Sequence, residues 1–155
     1  MRAADFMENY LAMAPGIKMH HTFVGNQGEG KVPCVYASDV GDACAVVLRQ
    51  GPMLHGNKTY NLTGPESLSR FEVAELLSKM TGSEVTYTDM EYEQHHETLL
   101  GYGLPEFLAK IVTDLQEGYK AGLVETVSDD VAKLTGHHTS LQDFFEAYLE
   151  LFIAD

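Results

Sequence analysis

The stretch Tyr60-Asn61-Leu62-Thr63-Gly64-Pro65-Glu66-Ser67-Leu68-Ser69 decides the fold. Thr59 to Leu62 is β-prone, Gly64-Pro65 is a turn signal, and Ser69 is a helix cap. Glu72 follows Ser69 at the spacing of a capping box, in which the serine hydroxyl and the glutamate carboxylate each satisfy an orphan amide of the first turn. Leu68 and Val73 flank the cap as a hydrophobic staple. The helix carries Phe71, Val73, Leu76 and Leu77 and stops at Gly82. A strand feeding a well-started helix is the repeating step of an α/β protein.

Working outward, similar steps recur. Glu84 to Thr88 is a short strand after the capped helix. Upstream, Ser38-Asp39 offers an N-cap to a helix with Val40, Cys44, Val47 and Leu48 on its apolar side, ended by Gly51-Pro52. Before it lie two β-prone runs, Lys18 to Val24 and Lys31 to Ala37, joined by a flexible, hairpin-like connection through Gly25, Gly28 and Gly30. The first dozen residues read as a helix with Phe6, Met7, Tyr10 and Leu11 on one face, stopped at Pro15-Gly16. Beyond residue 90 the chain is mostly helical. Glu91 to Leu100 is one helix, and Pro105 opens another with Leu108, Ile111, Val112 and Leu115 inward. Ser128 caps a short helix through Leu134, and Ser140 caps the last, whose apolar face holds Leu141, Phe144, Phe145, Tyr148 and Phe152.

No run is long and Val/Ile-rich enough to be the centre of a buried parallel sheet. The opening helix and the Tyr60–Leu62 strand are therefore expected to be incompletely covered, leaving a sheet face through which the chain could self-associate.

Bulk composition narrows the function classes. The 155 residues are one ordinary domain's worth, and 45% are hydrophobic, enough for a core. The formal charge of −13 opposes contact with phosphate backbones and anionic lipid, so no nucleic-acid or membrane partner is expected. The start lacks a secretory pattern, and two cysteines make no disulfide framework, which suggests a reduced, cytoplasmic setting. Cys34 and Cys44 sit among apolar residues with no base beside them, and are expected to be inert. His20-His21, His95-His96 and His137-His138 are adjacent pairs rather than ligand-spaced ones, so no metal site is expected and turn or surface positions explain them. Asp39 and Asp42 are explained by capping and the helix dipole. No tyrosine has a lysine four residues on, which excludes the Tyr-x-x-x-Lys acid–base pair from this stretch. Gly25, Gly28 and Gly30 imitate a phosphate loop, but lead into the β-prone Lys31-Val32 instead of a helix N-terminus.

The order of these segments resembles one family. Arg2 with Phe6-Met7-Glu8-Asn9, then Gly28 through Lys31-Val32-Pro33 to Ser38-Asp39-Val40, then Tyr60-Asn61-Leu62-Thr63-Gly64-Pro65-Glu66, then Gly103-Leu104-Pro105 and Leu134-Thr135-Gly136-His137, are similar to the C-terminal half of NmrA-like atypical short-chain dehydrogenases. The resemblance covers essentially the whole chain, and its strength lies in the order and spacing of the motifs. It implies the C-terminal part of a Rossmann-like α/β fold, with the N-terminal nucleotide-binding strands absent. Residues 1–90 would be the remaining core and sheet-edge strands, and 91–155 a helical substrate-side subdomain. Full-length relatives bind NADP or NAD and reduce quinones or similar small electrophiles. Others sense the dinucleotide and act through protein partners. By resemblance Arg2, Phe6 and Asn9 would lie at the nicotinamide side and Gly28 and Lys31 at the substrate side, with no catalytic acid or base assigned. Without the glycine-rich turn of the family's first strand, the chain alone is expected to bind little or no dinucleotide.

Overall fold

A computed structural model of the chain describes residues 1–153. Its architecture is α/β, built from three short strand pairs held by helices. Strand β1 (Arg2–Ala3) runs parallel to β4 (Asn61–Leu62), and β2 (Thr22–Gly25) parallel to β6 (Thr86–Asp89) in the register Phe23↔Tyr87. β3 (Lys31–Val32) pairs antiparallel with β5 (Leu68–Ser69), and a single parallel bridge joins Phe6 to Val35. The Gly25–Gly30 connection is therefore no hairpin, since β2 and β3 take different partners. Nor is it a surface turn: Gly25 to Gly28 and Gly30 are buried.

The capping-box helix forms where the sequence places it. In α4 (Arg70–Thr81) the Ser69 hydroxyl accepts from the Glu72 amide at 3.2 Å, and the Glu72 carboxylate accepts from the Ser69 amide at 2.7 Å. Gly82 closes the helix at φ 72°, a left-handed conformation open to glycine at no steric penalty. The same reciprocal pair, Ser140 with Asp143, starts α8 (Leu141–Ala147).

The opening helix differs from the sequence expectation. Residues 2–3 are strand, and α1 (Asn9–His20) runs through Pro15-Gly16 and over the first part of the β-prone Lys18–Val24 run. Proline forfeits one backbone bond and crowds the preceding turn. Its ring lies on the exposed side here, while Tyr10, Ala14 and Ile17 anchor the opposite side, so tertiary burial outweighs the break. The actual stop is His21, at φ 53°, whose amide returns to the Ile17 carbonyl.

Coverage of this helix is partial, as the sequence leads one to expect. Met7 and Tyr10 are buried by the chain's own residues, Leu11 is half-buried, and Phe6 is 38% exposed. The cover comes from the C-terminus: Tyr10 meets Phe145 edge-on at 5.3 Å, and Phe145 meets Phe152 at 5.3 Å. These aromatics join Ile17, Phe23, Val73, Leu77 and Phe144 in the main core. A smaller cluster of Val35, Ala43, Leu62 and Val131 ties β4 to α2 (Ala37–Gln50) and α7 (Asp130–Thr135). β4 has β1 on one edge, and on the other the Asn61 amide donates to Asp130 Oδ2 at 2.8 Å, so a helix side chain stands where a strand could pair.

Two further helices carry corrections. The N-cap of α2 is Tyr36, and Glu8 accepts from the Ala37 amide in place of a local cap. Asp39, released from capping, is buried and binds Thr139 twice: its Oδ2 accepts from the amide at 2.7 Å and its Oδ1 from the hydroxyl at 3.0 Å. After α3 (Pro52–His55) and α5 (Tyr92–Gly101) comes α6 (Glu106–Lys120), which is rotated so that most of its apolar stripe is not on the buried side. Leu108, Ile111 and Leu115 are exposed, Val112 is half-buried, and Ala109, Thr113, Gln116 and Tyr119 face inward. The reason is polar satisfaction. The buried Asn26 donates from its amide to Gln116 Oε1 at 2.9 Å and from its side chain to the Thr113 carbonyl and to Glu117 Oε1, bonds that tie the loop to this part of α6.

Candidate functional site

A cavity of about 640 Å³ opens between α1, β2, the start of α4, and α5 with α6. Its walls are mostly apolar: Ala12, Met13 and Met19 of α1, Phe23 and Val24 of β2, Leu99, Tyr102 and Leu104 at the end of α5, and Val112 and Leu115 of α6. Polar groups converge on this lining from Asp5, Asn9, Arg70, His95 and Gln116. An apolar cleft with a few placed polar groups is the usual form of a small-molecule site.

Arg70 is the principal charge there. Helical spacing explains its position: Arg70, Val73, Ala74 and Leu77 recur at i, i+3, i+4 and i+7 and are the buried residues of α4. Its Nε donates to Gln27 Oε1 at 3.2 Å, while Gln27 Nε2 donates to the Gly30 carbonyl at 2.7 Å and so cannot flip. The guanidinium carbon lies 4.7 Å from the Tyr10 ring centroid, and Nη1 is 3.7 Å from Met13 Sδ. Nη2 reaches Asp5 Oδ2 only at 4.0 Å, beyond hydrogen-bonding range. Asp5 spends its other oxygen on the Asn9 side chain at 2.5 Å and the Phe6 amide at 3.1 Å. Burial pushes the Asp5 carboxyl up, and the charge of Arg70 opposes that rise.

His95 is the second buried polar group on the wall, 1% exposed, and among the described residues its Nδ1 has no hydrogen-bond partner. Burial, and next the positive charge of Arg70, hold its pKa below the ordinary histidine value, so the ring is neutral at pH 7. Among thiols, burial pushes Cys34 up to about 12, the inert state the sequence suggests.

The glycine loop does not fit a dinucleotide's phosphates. Its amides are already engaged: Asn26 with Gln116, Gln27 with the Tyr87 hydroxyl at 3.0 Å, and Gly28 with Asp89 Oδ1 at 2.7 Å. A carboxylate thus occupies the position an anion would need. Gly30 is glycine for another reason, since a Cβ there would stand 2.2 Å from the Tyr119 carbonyl oxygen. The loop is a seam against α6, and it runs into a strand.

Of the residues that resemblance places near ligands, Asn9 lines the cavity. Arg2 sits exposed on β1, and Phe6 lies in the bridge to Val35. Gly28 is in the seam, and Lys31 pairs with Glu72 at 2.6 Å; none of these four lines the cavity. Arg70 and Gln116 escape a reading by motif, and His95, expected at a turn or surface position, is instead buried on α5 and lines the cavity. The available signal was positional: a charged residue on the buried stripe of α4, and a histidine four residues before Leu99 on α5. Among the described residues, no cluster of His, Cys, Asp and Glu could hold a metal, and no helix is long and apolar enough to cross a membrane.

Comparison with known proteins gives consistent relatives. No family model matches the chain. Quinone oxidoreductase 2 of Escherichia coli (strain K12) is 32% identical over 140 residues, 90% of this chain and 48% of that protein. The NAD(P)H azoreductase of Xenophilus azovorans is 35% identical over 148 residues, 95% of this chain and 51% of that one. The crystal structure of the E. coli NADPH-dependent quinone oxidoreductase complexed with NADPH superposes with a TM-score of 0.87 at 31% identity, covering 96% of this chain and 52% of the other. The chain thus spans about half the length of the relatives it matches.

Proposed function

We propose, on the premise that this chain belongs to the NmrA-like family of NAD(P)-binding reductases and corresponds to their C-terminal half, that it forms the acceptor-binding side of an NAD(P)H-dependent reductase of quinones or similar small electrophiles. The observation that carries this reading is the cavity: apolar walls wide enough for an aromatic ring, with a fixed guanidinium and a neutral imidazole on the lining. These residues bind and orient a flat acceptor and exclude water from it. The 25–30 loop does not fit the phosphates of a dinucleotide, and no step of hydride delivery is assigned to this chain's residues.

The same reading divides the chain into a core part, residues 1–90, and a helical acceptor-side part, residues 91–155, in a cytoplasmic protein with a small-molecule partner. It allows self-association through β1, whose two residues are both exposed.

The test is calorimetric titration with tetramethyl-1,4-benzoquinone, whose fully substituted ring resists addition by thiols. We expect saturable binding with Kd between about 1 µM and 1 mM, a range set by the free energies available to a small ligand. Ala12 is exposed and lines the cavity, so Ala12→Trp should fill it and weaken binding more than about tenfold while the fold persists. Unchanged affinity in Ala12→Trp would place the ligand elsewhere.

A further inference from the structure

We infer that Arg70 is the specificity-determining anchor of this cavity, and that its Nη2 takes a carbonyl oxygen of the bound ligand. The inference rests on the acceptor-site reading and adds the ligand's required chemistry: a flat aromatic body bearing a hydrogen-bond-accepting oxygen.

Three observations carry it. First, Arg70 is buried yet under-satisfied. Gln27 holds Nε and the Met13 sulfur is a weak acceptor for Nη1, but Nη2 has only a carboxylate oxygen 4.0 Å away. A buried cation normally draws its carboxylate into direct contact. Here Asp5 is held back by its bonds to Asn9 and the Phe6 amide, and both Asp5 and Arg70 line the cavity. Secondly, His95 lines the same cavity, nearly fully buried, with an unpartnered Nδ1. Two buried polar groups that line one cavity, each with unused hydrogen-bonding capacity, point to a polar atom of a ligand. Thirdly, the charge balance selects a neutral oxygen over an anion. The Asp5 carboxyl lies beside Arg70, and a second acidic group there would meet it in a poorly solvated space. A carbonyl oxygen accepts from Nη2 without that penalty.

Gln27 makes the geometry specific. Its carboxamide is fixed by Gly30 on one side and Arg70 on the other, so the plane of the guanidinium is set before a ligand arrives.

The experiment uses the chain with two ligands of equal shape, acetophenone and α-methylstyrene, in which a C=O is replaced by C=CH2. Affinities are measured by calorimetry for the chain and for Arg70→Met. Because ketone and alkene differ in hydration, the quantity read is the change in their affinity ratio between the two proteins. We expect Arg70→Met to weaken acetophenone about tenfold relative to α-methylstyrene, the scale of one hydrogen bond to a charged group. The infrared carbonyl stretch of 13C-labelled acetophenone should move to lower frequency on binding to the chain, and Arg70→Lys should reduce that shift. An unchanged ratio in Arg70→Met overturns the anchor. If that variant does not fold, a bound carbonyl stretch matching the value in hydrocarbon solvent overturns it equally. If neither ligand binds the unmodified chain, the acceptor-site reading itself fails, which is a separate outcome.

Discussion

Replacing Asp39 by alanine tests how the fold closes on itself. Asp39 lies in the first turn of α2 and is 2% exposed. Its two oxygens accept from the amide and hydroxyl of Thr139, at 2.7 and 3.0 Å, across one hundred residues of sequence. Thr139 directly precedes Ser140, the cap of α8, whose Leu141, Phe144 and Phe145 are core residues. The pair therefore fixes where the C-terminal helix docks. Hydrogen bonds to a charged acceptor contribute about 1.5–3 kcal/mol each. Thr139 is only half-buried, so water recovers part of that loss, and deleting the carboxylate also removes its desolvation penalty. The net expectation for Asp39→Ala is about 2–3 kcal/mol. For a chain of this length that lowers Tm by about 4–12 °C. Urea unfolding followed by far-ultraviolet circular dichroism measures it, with Thr139→Val as the second arm of a double-mutant cycle. The two changes should couple by about 1 kcal/mol, since Thr139→Val removes the hydroxyl bond and leaves the amide bond. A loss below about 0.5 kcal/mol for Asp39→Ala, in the range of ordinary surface substitutions, refutes the reasoning.

The remaining predictions concern the cap, the turned helix and acid stability. Ser69→Ala should destabilise by about 0.5–2 kcal/mol through loss of the capping bond, read from denaturant midpoints at unchanged slope. Ile111→Glu on the exposed side of α6 should change stability by less than about 0.5 kcal/mol, whereas Ala109→Leu on its inward side should cost about 1–3 kcal/mol; the reverse order would mean α6 faces the other way. The Lys31 ammonium, and next the Ser69 amide, hold the Glu72 carboxyl below its ordinary pKa, so its contribution is full above the ordinary carboxylate range and is lost as pH falls through the lowered folded value. Both side chains are well exposed, so the effect is about 0.2–1 kcal/mol, and Lys31→Met should flatten the acid limb of a stability–pH curve by that amount.

What the sequence makes legible follows from where the deciding forces are local. The Ser69–Glu72 and Ser140 caps depend on residues three apart, and both form. The helix stop at Gly82 is equally local. Pro15-Gly16 misleads because tertiary burial of Tyr10, Ala14 and Ile17 overrides a local breaker. Asp39 reads as a cap because Thr139 is invisible at that range. The apolar stripe of α6 misplaces the buried face because the buried Asn26 takes Gln116 and the Thr113 carbonyl as partners. The site is harder still. Arg70 and His95 belong to no motif, and their meaning appears only when α1, α4, α5 and α6 meet around one cavity.

The central claim, that this chain is the acceptor-binding half of an NmrA-like reductase, is tested most directly by amide nuclear magnetic resonance of the labelled chain during titration with tetramethyl-1,4-benzoquinone. The account predicts saturable shifts at cavity-lining amides such as Met13, Gly16, Leu99 and Leu115, with the Arg70 side-chain signal among those that move, and little change at Leu48 or Met53 on the far exposed surface. NADPH added alone should leave the amides of Asn26, Gln27 and Gly28 in place, since Gln116, Tyr87 and Asp89 already hold them. Quinone-induced shifts that scatter over the surface and spare the cavity, or a saturable NADPH response centred on residues 25–30, would contradict it.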